Sequence, residues 1–181
     1  DWDLWQGPAK HRPFNRKYLP FNWRGWWDYG TGALGDMACH IADPANWALK
    51  LSSVGPTSVE LISVDGNNDE TFPNKSKIKY EFPARGDQPP LTLYWYDGGN
   101  LPEHPKDIPA GTQLGEGDNG TLFVGTKGYA TCDTYGDRPR LLPEDRYKSF
   151  EKPKQILERV QLEGRNKWKS PYVEWTNAIK N

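Results

Sequence analysis

Residues 21–51 read FNWRGWWDYGTGALGDMACHIADPANWALKL, and their reading governs the rest of the chain. A tryptophan-rich approach leads through Gly30, Gly32 and Gly35 into a helical pattern. There Met37, Ile41, Ala45 and Ala48 recur at three- and four-residue steps, with Leu34 and Trp47 close to that face. Pro44 interrupts the pattern. Its missing N–H would have bonded the carbonyl of His40, so the helix should kink there, or restart with Asp43 as N-cap and Pro44 as first residue. The glycines spell G-x-G-x-x-G, a dinucleotide fingerprint when a buried strand precedes it and a helix follows. The preceding Trp23–Tyr29 stretch is aromatic and charged, unlike a central parallel strand, and no alternation of strands and helices follows it. The glycines therefore read as a tight backbone turn beneath a ligand, with Gly32 and Gly35 as possible backbone contacts to a cofactor.

Asp36 and His40 carry the chemical signal. Four residues along a helix rise about 6 Å and return to the same face, so both side chains address one region. Histidine exchanges protons near neutrality, and a neighbouring carboxylate can orient its ring or bind a substrate hydroxyl. The same spacing also suits an ordinary surface pair. The setting, a glycine turn, a tryptophan cluster and a proline break, favours a functional role.

The chain has 181 residues, enough for one sizeable core. Its nine Trp, nine Tyr and six Phe supply much of a hydrophobic share of only 35%. A net charge of −1 gives no footprint for nucleic acid, and no apolar run is long enough to span a membrane. Cys39 and Cys132 lack metal-ligand or redox spacing, and no metal site is expected. The chain opens at Asp1 in mid-pattern and stops at Asn181 inside a helical pattern, so a piece of a longer protein is expected.

Residues 1–32 read as an extended aromatic arm and glycine turn, with Pro8, Pro13 and Pro20 preventing a long helix. Its rings should pack on the domain or a neighbouring subunit, or line a carbohydrate site. Residues 33–51 form the helix with Asp36 and His40, and residues 57–135 carry strands. Ser76–Pro83 sets Ile78, Tyr80 and Phe82 against Lys77, Lys79 and Glu81, while Leu91–Asp97 sets Leu91, Leu93 and Trp95 against Thr92, Tyr94 and Tyr96. Thr121–Val124 and Tyr129–Tyr135 suit a hairpin turning through Gly125–Gly128. Consecutive strands without helices between them predict an α+β fold: an open, mainly antiparallel sheet with helices packed on one face. Residues 98–119 read as a lid, interface segment or disordered loop, with His104 solvated. Residues 136–181 read as irregular, with short helices over Gln155–Leu162 and Tyr172–Lys180, the latter capped by Ser170.

Three segments, WDLWQGPA at 2–9, the FNWRGWWDYGTGALGDMACHIADPANWALK run from Phe21 and GTLFVGTKG at 120–128, together resemble the C-terminal half of a bacterial-type Gfo/Idh/MocA-family oxidoreductase. The likeness extends from residue 1 to about 143, and the glycine turn followed by D-x-x-x-H-x-x-D is its most specific part. The resemblance implies that a Rossmann domain, absent from these residues, binds NAD or NADP. It also implies that this domain contributes substrate contacts and a homo-oligomer interface. Asp36 and His40 would face the nicotinamide, and Asp43 completes the pattern. Arg24, Trp23, Trp27 and Asp28 are the candidate substrate contacts, unless Arg24 and Asp28 form a structural pair. The expected activity of the complete enzyme is hydride transfer from a sugar-like alcohol, the isolated chain being inactive. An NAD-dependent glycosidase of the same family and a non-catalytic carbohydrate-binding or assembly domain remain alternatives.

Overall fold

The computed structural model describes residues 1–154, 156 and 159–180. The chain divides into two compact units, residues 1–148 and 149–181. The first unit opens with a short helix, α1 (Trp2–Gln6), where an extended arm was expected. The prolines begin only at Pro8, and the Asp1 carboxylate accepts from the backbone N–H groups of Asp3 and Leu4, so one turn forms unhindered.

The arm then closes on itself. Trp2 stacks between Trp5 and Tyr18, at 4.9 and 5.5 Å between centroids, while Tyr29 and Trp26 meet Tyr18 edge-on. Polar groups inside this cluster find partners: the Trp2 indole N–H donates to the Arg12 carbonyl at 2.6 Å, and buried Gln6 accepts from the Arg12 backbone N–H at 2.7 Å. Most of these rings therefore serve the arm's own core.

The helical run splits, as the proline requires, into α2 (Gly32–Ile41) and α3 (Asp43–Ala48). The restart comes one residue earlier than expected, with Ala42 in the N-cap position, Asp43 first and Pro44 second. At this break the hydroxyl of Thr121 donates to the Ile41 carbonyl.

Two three-stranded antiparallel sheets follow, where one sheet was expected: β1 (Ser58–Asp65), β2 (Lys75–Phe82) and β3 (Leu91–Tyr96), then β4 (Thr121–Gly125), β5 (Gly128–Cys132) and β6 (Arg140–Leu142). The fold is α+β, and β3 and β4 do not pair. Register puts Val59 opposite Tyr80 and Leu61 opposite Ile78, with Tyr80 opposite Leu93 and Ile78 opposite Trp95. These residues share the face turned toward α2 and α3, and Leu34, Ala38, Ala42, Tyr80, Phe82 and Trp95 line a groove of about 410 Å³ between helices and sheet. The other face is polar. On it, Lys79 pairs with Glu81 at 2.5 Å, and Lys77 lies over Tyr94 and Tyr96. The hydrogen bond between Lys79 and Glu81 lowers the carboxyl pKa and raises that of the ammonium. Trp95, only 6% exposed, belongs to the inner face.

The second sheet holds down the long loop. The hydroxyl of Tyr129 donates to Asp107 at 2.6 Å, that of Thr131 to the Leu114 carbonyl and that of Thr134 to Glu116, while Ile108 is buried. This is a pinned segment, not a free lid. His104 is half-buried, its ring nitrogens 3.1 and 3.3 Å from the Pro105 and Thr112 carbonyls, so it is not the solvated histidine that the sequence suggested. Residues 136–148 also hold more order than expected, forming β6 and α4 (Glu144–Lys148).

In the second unit a 3-10 turn at Gly164–Lys169 runs into α5 (Ser170–Lys180). Ser170 is the first helical residue, and its hydroxyl donates back to the Lys167 carbonyl instead of capping. The helix expected over 155–162 involves Gln155, Leu157 and Glu158, which lie outside the described residues; the described residues of that stretch are not helical.

One buried side chain joins the helices to the first sheet. Arg85, 5% exposed, donates from Nε to the Leu49 carbonyl at 2.5 Å, and from Nη1 to the carbonyls of Pro83 and Pro89 at 3.0 and 2.7 Å. Replacing it by Met strands three carbonyls, so Arg85→Met is expected to lower stability by about 2–3 kcal/mol in urea unfolding. A loss below about 0.5 kcal/mol would mean that water satisfies those carbonyls equally well.

Candidate functional site

The site grows from the turn that launches α2. The Gly30 N–H bonds the Trp26 carbonyl at 2.8 Å, and its α-carbon lies so close to the Arg24 carbonyl that a β-carbon would collide with it. Gly32 has φ +65°, and a β-carbon there would meet the Phe72 ring at 2.5–2.9 Å. A β-carbon on Gly35 would meet the side chain of Thr31, with Oγ1 at 2.7 Å. Phe72 reaches this position because the β1–β2 connection is laced to the arm: Trp27 N–H to Glu70 carbonyl at 3.1 Å, and Phe72 N–H to Gly25 carbonyl at 2.9 Å.

A dinucleotide pyrophosphate requires bare glycine backbone open to the ligand. Here the bare faces of all three glycines are covered by the protein's own atoms, so this turn does not fit a pyrophosphate. The outward face of α2 differs. At about 100° per residue, Leu34, Ala38 and Ala42 fall on the side facing the groove, and Asp36 and His40 fall on the opposite side. His40 is exposed, and the Asp36 side chain is 39% exposed.

The two residues share a face but are held by different neighbours. Asp36 Oδ2 lies 3.6 Å from Nε of Arg24, whose guanidinium sits over the rings of Phe21 and Trp23 at 4.4 and 4.7 Å. His40 meets the ring of Tyr135 edge-on at 4.9 Å. Arg24, Asp36, His40 and Tyr135 thus line one accessible surface formed by the arm, α2 and the segment after β5.

The remaining candidates separate. Asp28 is engaged by Arg12, which donates from Nε at 2.9 Å and approaches from Nη2 at 2.8 Å, so Asp28 belongs to the arm's ion pairs and is not paired with Arg24. That bond, set against partial desolvation, raises the already high pKa of Arg12. Trp27 leans on Phe72, 3.6 Å between centroids, and its indole N–H donates to the Asn68 carbonyl. Trp23 donates to the Pro20 carbonyl at 3.1 Å and offers its face to Arg24. Tyr135 and Phe72 were missed from sequence, because neither stands in a local pattern that announces its distant partner. Cys39 is exposed, whereas burial pushes the Cys132 thiol up.

Residues 1–88 match the family model described as "Oxidoreductase family, C-terminal alpha/beta domain", that of the Gfo/Idh/MocA oxidoreductases. The matched stretch, which carries the aromatic arm, the glycine turn, α2, α3 and the first two strands, is similar to a C-terminal domain of that family. No curated protein matches the chain.

The fit of Gly32 beneath Phe72 has a direct consequence. Gly32→Ala places a side chain at positive φ and against the ring, and is expected to cost about 1–3 kcal/mol with a corresponding fall in Tm. An unchanged Tm would show that the ring simply moves aside.

Proposed function

We propose that this chain supplies the proton-handling side of the active site of an NAD- or NADP-dependent oxidoreductase acting on a sugar-like secondary alcohol. What supports the reading is the outward face of α2, which carries Asp36 and His40 within a stretch matched to an oxidoreductase C-terminal domain. The dinucleotide would be held by a Rossmann domain outside these residues, consistent with a glycine turn that closes on its own neighbours. NAD(P)⁺, when bound, supplies the acceptor for the hydride leaving the alcohol carbon. His40 takes the hydroxyl proton as the carbonyl forms and returns it in the reverse direction. Tyr135 limits the rotation of the imidazole, and Asp36, held by Arg24, accepts from a neighbouring substrate hydroxyl. The chain alone then lacks a hydride acceptor site and is inactive.

In the complete enzyme, His40→Ala is expected to lower kcat by about 10²–10⁴-fold and Asp36→Asn by about tenfold or more, since positioned acid–base groups contribute on that scale. Losses below about tenfold in both would make the pair structural. Nicotinamide reduction with a free sugar supports the dehydrogenase reading; aglycone release without net reduction would replace it with the glycosidase.

The complete enzyme is also expected to be a homo-oligomer. Edge strand β1 keeps Val59 and Leu61 about 60% exposed on the apolar face, a combination that favours covering by another chain. Light scattering at the monomer mass would remove this expectation.

A further inference from the structure

Arg24 is built differently from Arg12. Arg12 spends its donors on Asp28 and Glu70. The Arg24 guanidinium has five N–H donors and makes no hydrogen bond among the described residues: its Nε stands 3.6 Å from Asp36, and its remaining contacts are the two rings. An arginine in this state is usually a mobile surface side chain. Here two rings and a turn restrict it. The Arg24 backbone lies in the 3-10 turn Asn22–Gly25 and is pressed by Gly30, and Phe21 and Trp23 hold the guanidinium at 4.4 and 4.7 Å. The side chain is nevertheless 35% exposed, on the surface that carries Asp36 and His40.

We infer that Arg24 is a preorganised receptor for a carboxylate or phosphate carried by the substrate, which makes the substrate an acidic or phosphorylated sugar and not a neutral one. The inference rests on the reading that this face of α2 meets the substrate. A guanidinium presents two edges suited to a planar anion. Asp36 faces the edge that includes Nε, which leaves the Nη1–Nη2 edge for a second oxyanion. The two rings disfavour competing water over the cation without taking any of its N–H groups. Asp36 opposes a second negative charge, but it is exposed enough for solvent to screen that repulsion, and the ligand gains two parallel charge-assisted bonds. Asp36 also holds Arg24 in place while the site is empty, so little ordering remains to be done when the anion arrives.

Trp23 provides the readout, since its ring touches the guanidinium. The chain is titrated at low ionic strength with glucose, glucuronate and glucose 6-phosphate while tryptophan fluorescence is followed. At least one of the two anions is expected to bind saturably and about tenfold or more tightly than glucose, and the tighter of them identifies carboxylate or phosphate as the recognised group. Arg24→Gln should abolish that preference. Arg24→Lys should lose most of it, because an ammonium lacks the two parallel donors. Arg16→Gln removes an equal charge from the same arm and should change binding less than twofold. Near-UV circular dichroism checks that each variant keeps the aromatic arm folded; if Arg24→Gln does not, Arg24→Lys carries the test. Equal binding of glucose and both anions, no saturable binding of any, unchanged anion binding in a folded Arg24 variant, or an equal loss in Arg16→Gln each overturns the inference. Hydride transfer that depends on His40, found together with any of these results, would leave the proposed function standing and remove only the anionic substrate.

Discussion

The close approach of Gly30 to the Arg24 carbonyl and of Gly32 to the Phe72 ring is the constraint on which the rest of the site depends. Only backbone without a β-carbon fits either position, and the chain turns there from the aromatic arm into α2. The direction of α2 is fixed at that point, and with it the outward placement of Asp36 and His40. The helix is then held twice more. Thr121 takes the Ile41 carbonyl at the proline break, and Arg85 takes the Leu49 carbonyl beyond α3. These anchors come from different strands or connections, so the helix pair is set relative to both sheets.

This arrangement separates two tasks along one short helix. The inward side, with Leu34 and Ala38, is apolar and gains from burial against Tyr80, Phe82 and Trp95. The outward side keeps its polar groups accessible, steadied by side chains that are not on the helix. Each of its two key residues has a partner from elsewhere in the chain: Arg24 from the arm for Asp36, and Tyr135 from beyond β5 for His40. Asp36 and His40 are therefore neighbours in position but not one hydrogen-bonded pair. An imidazole met by an aromatic edge keeps its ring nitrogens out of that contact.

Much of this was legible in the sequence, and what was not has identifiable causes. Alternation over β2 and β3 gave the correct faces, because the side-chain period of a strand is visible locally. The same period says nothing about which strands pair, so the separation into two sheets was hidden. Pro44 announced the helix break through its missing N–H, yet Ala42, which makes no side-chain cap bond, takes the N-cap position against capping preference. The burial of Arg85 was also silent, since its acceptors are backbone carbonyls and those carry no sequence signal. At the site, the i,i+4 spacing placed Asp36 and His40 together on one face, and the charges Arg24 and Asp28 suggested each other by proximity. The structure re-pairs them, Arg24 with Asp36 and Asp28 with Arg12, because the turn between them reverses the chain.

That re-pairing is what gives the arm a functional reading. Had Arg24 met Asp28, both would have been consumed in the arm's internal electrostatics, and the outward face would have carried only a carboxylate and an imidazole. Arg12 satisfies Asp28 with two nitrogens and also approaches Glu70, which leaves the Arg24 guanidinium against two rings with its hydrogen-bonding capacity unspent. The aromatic residues therefore do two kinds of work. Trp2, Tyr18, Trp26 and Tyr29 form the core that holds the arm, while Phe21 and Trp23 fix a cation at its edge. A composition that suited either packing or a carbohydrate surface is thus mostly scaffold, and its exposed charge lies in one arginine and the helix face that it touches.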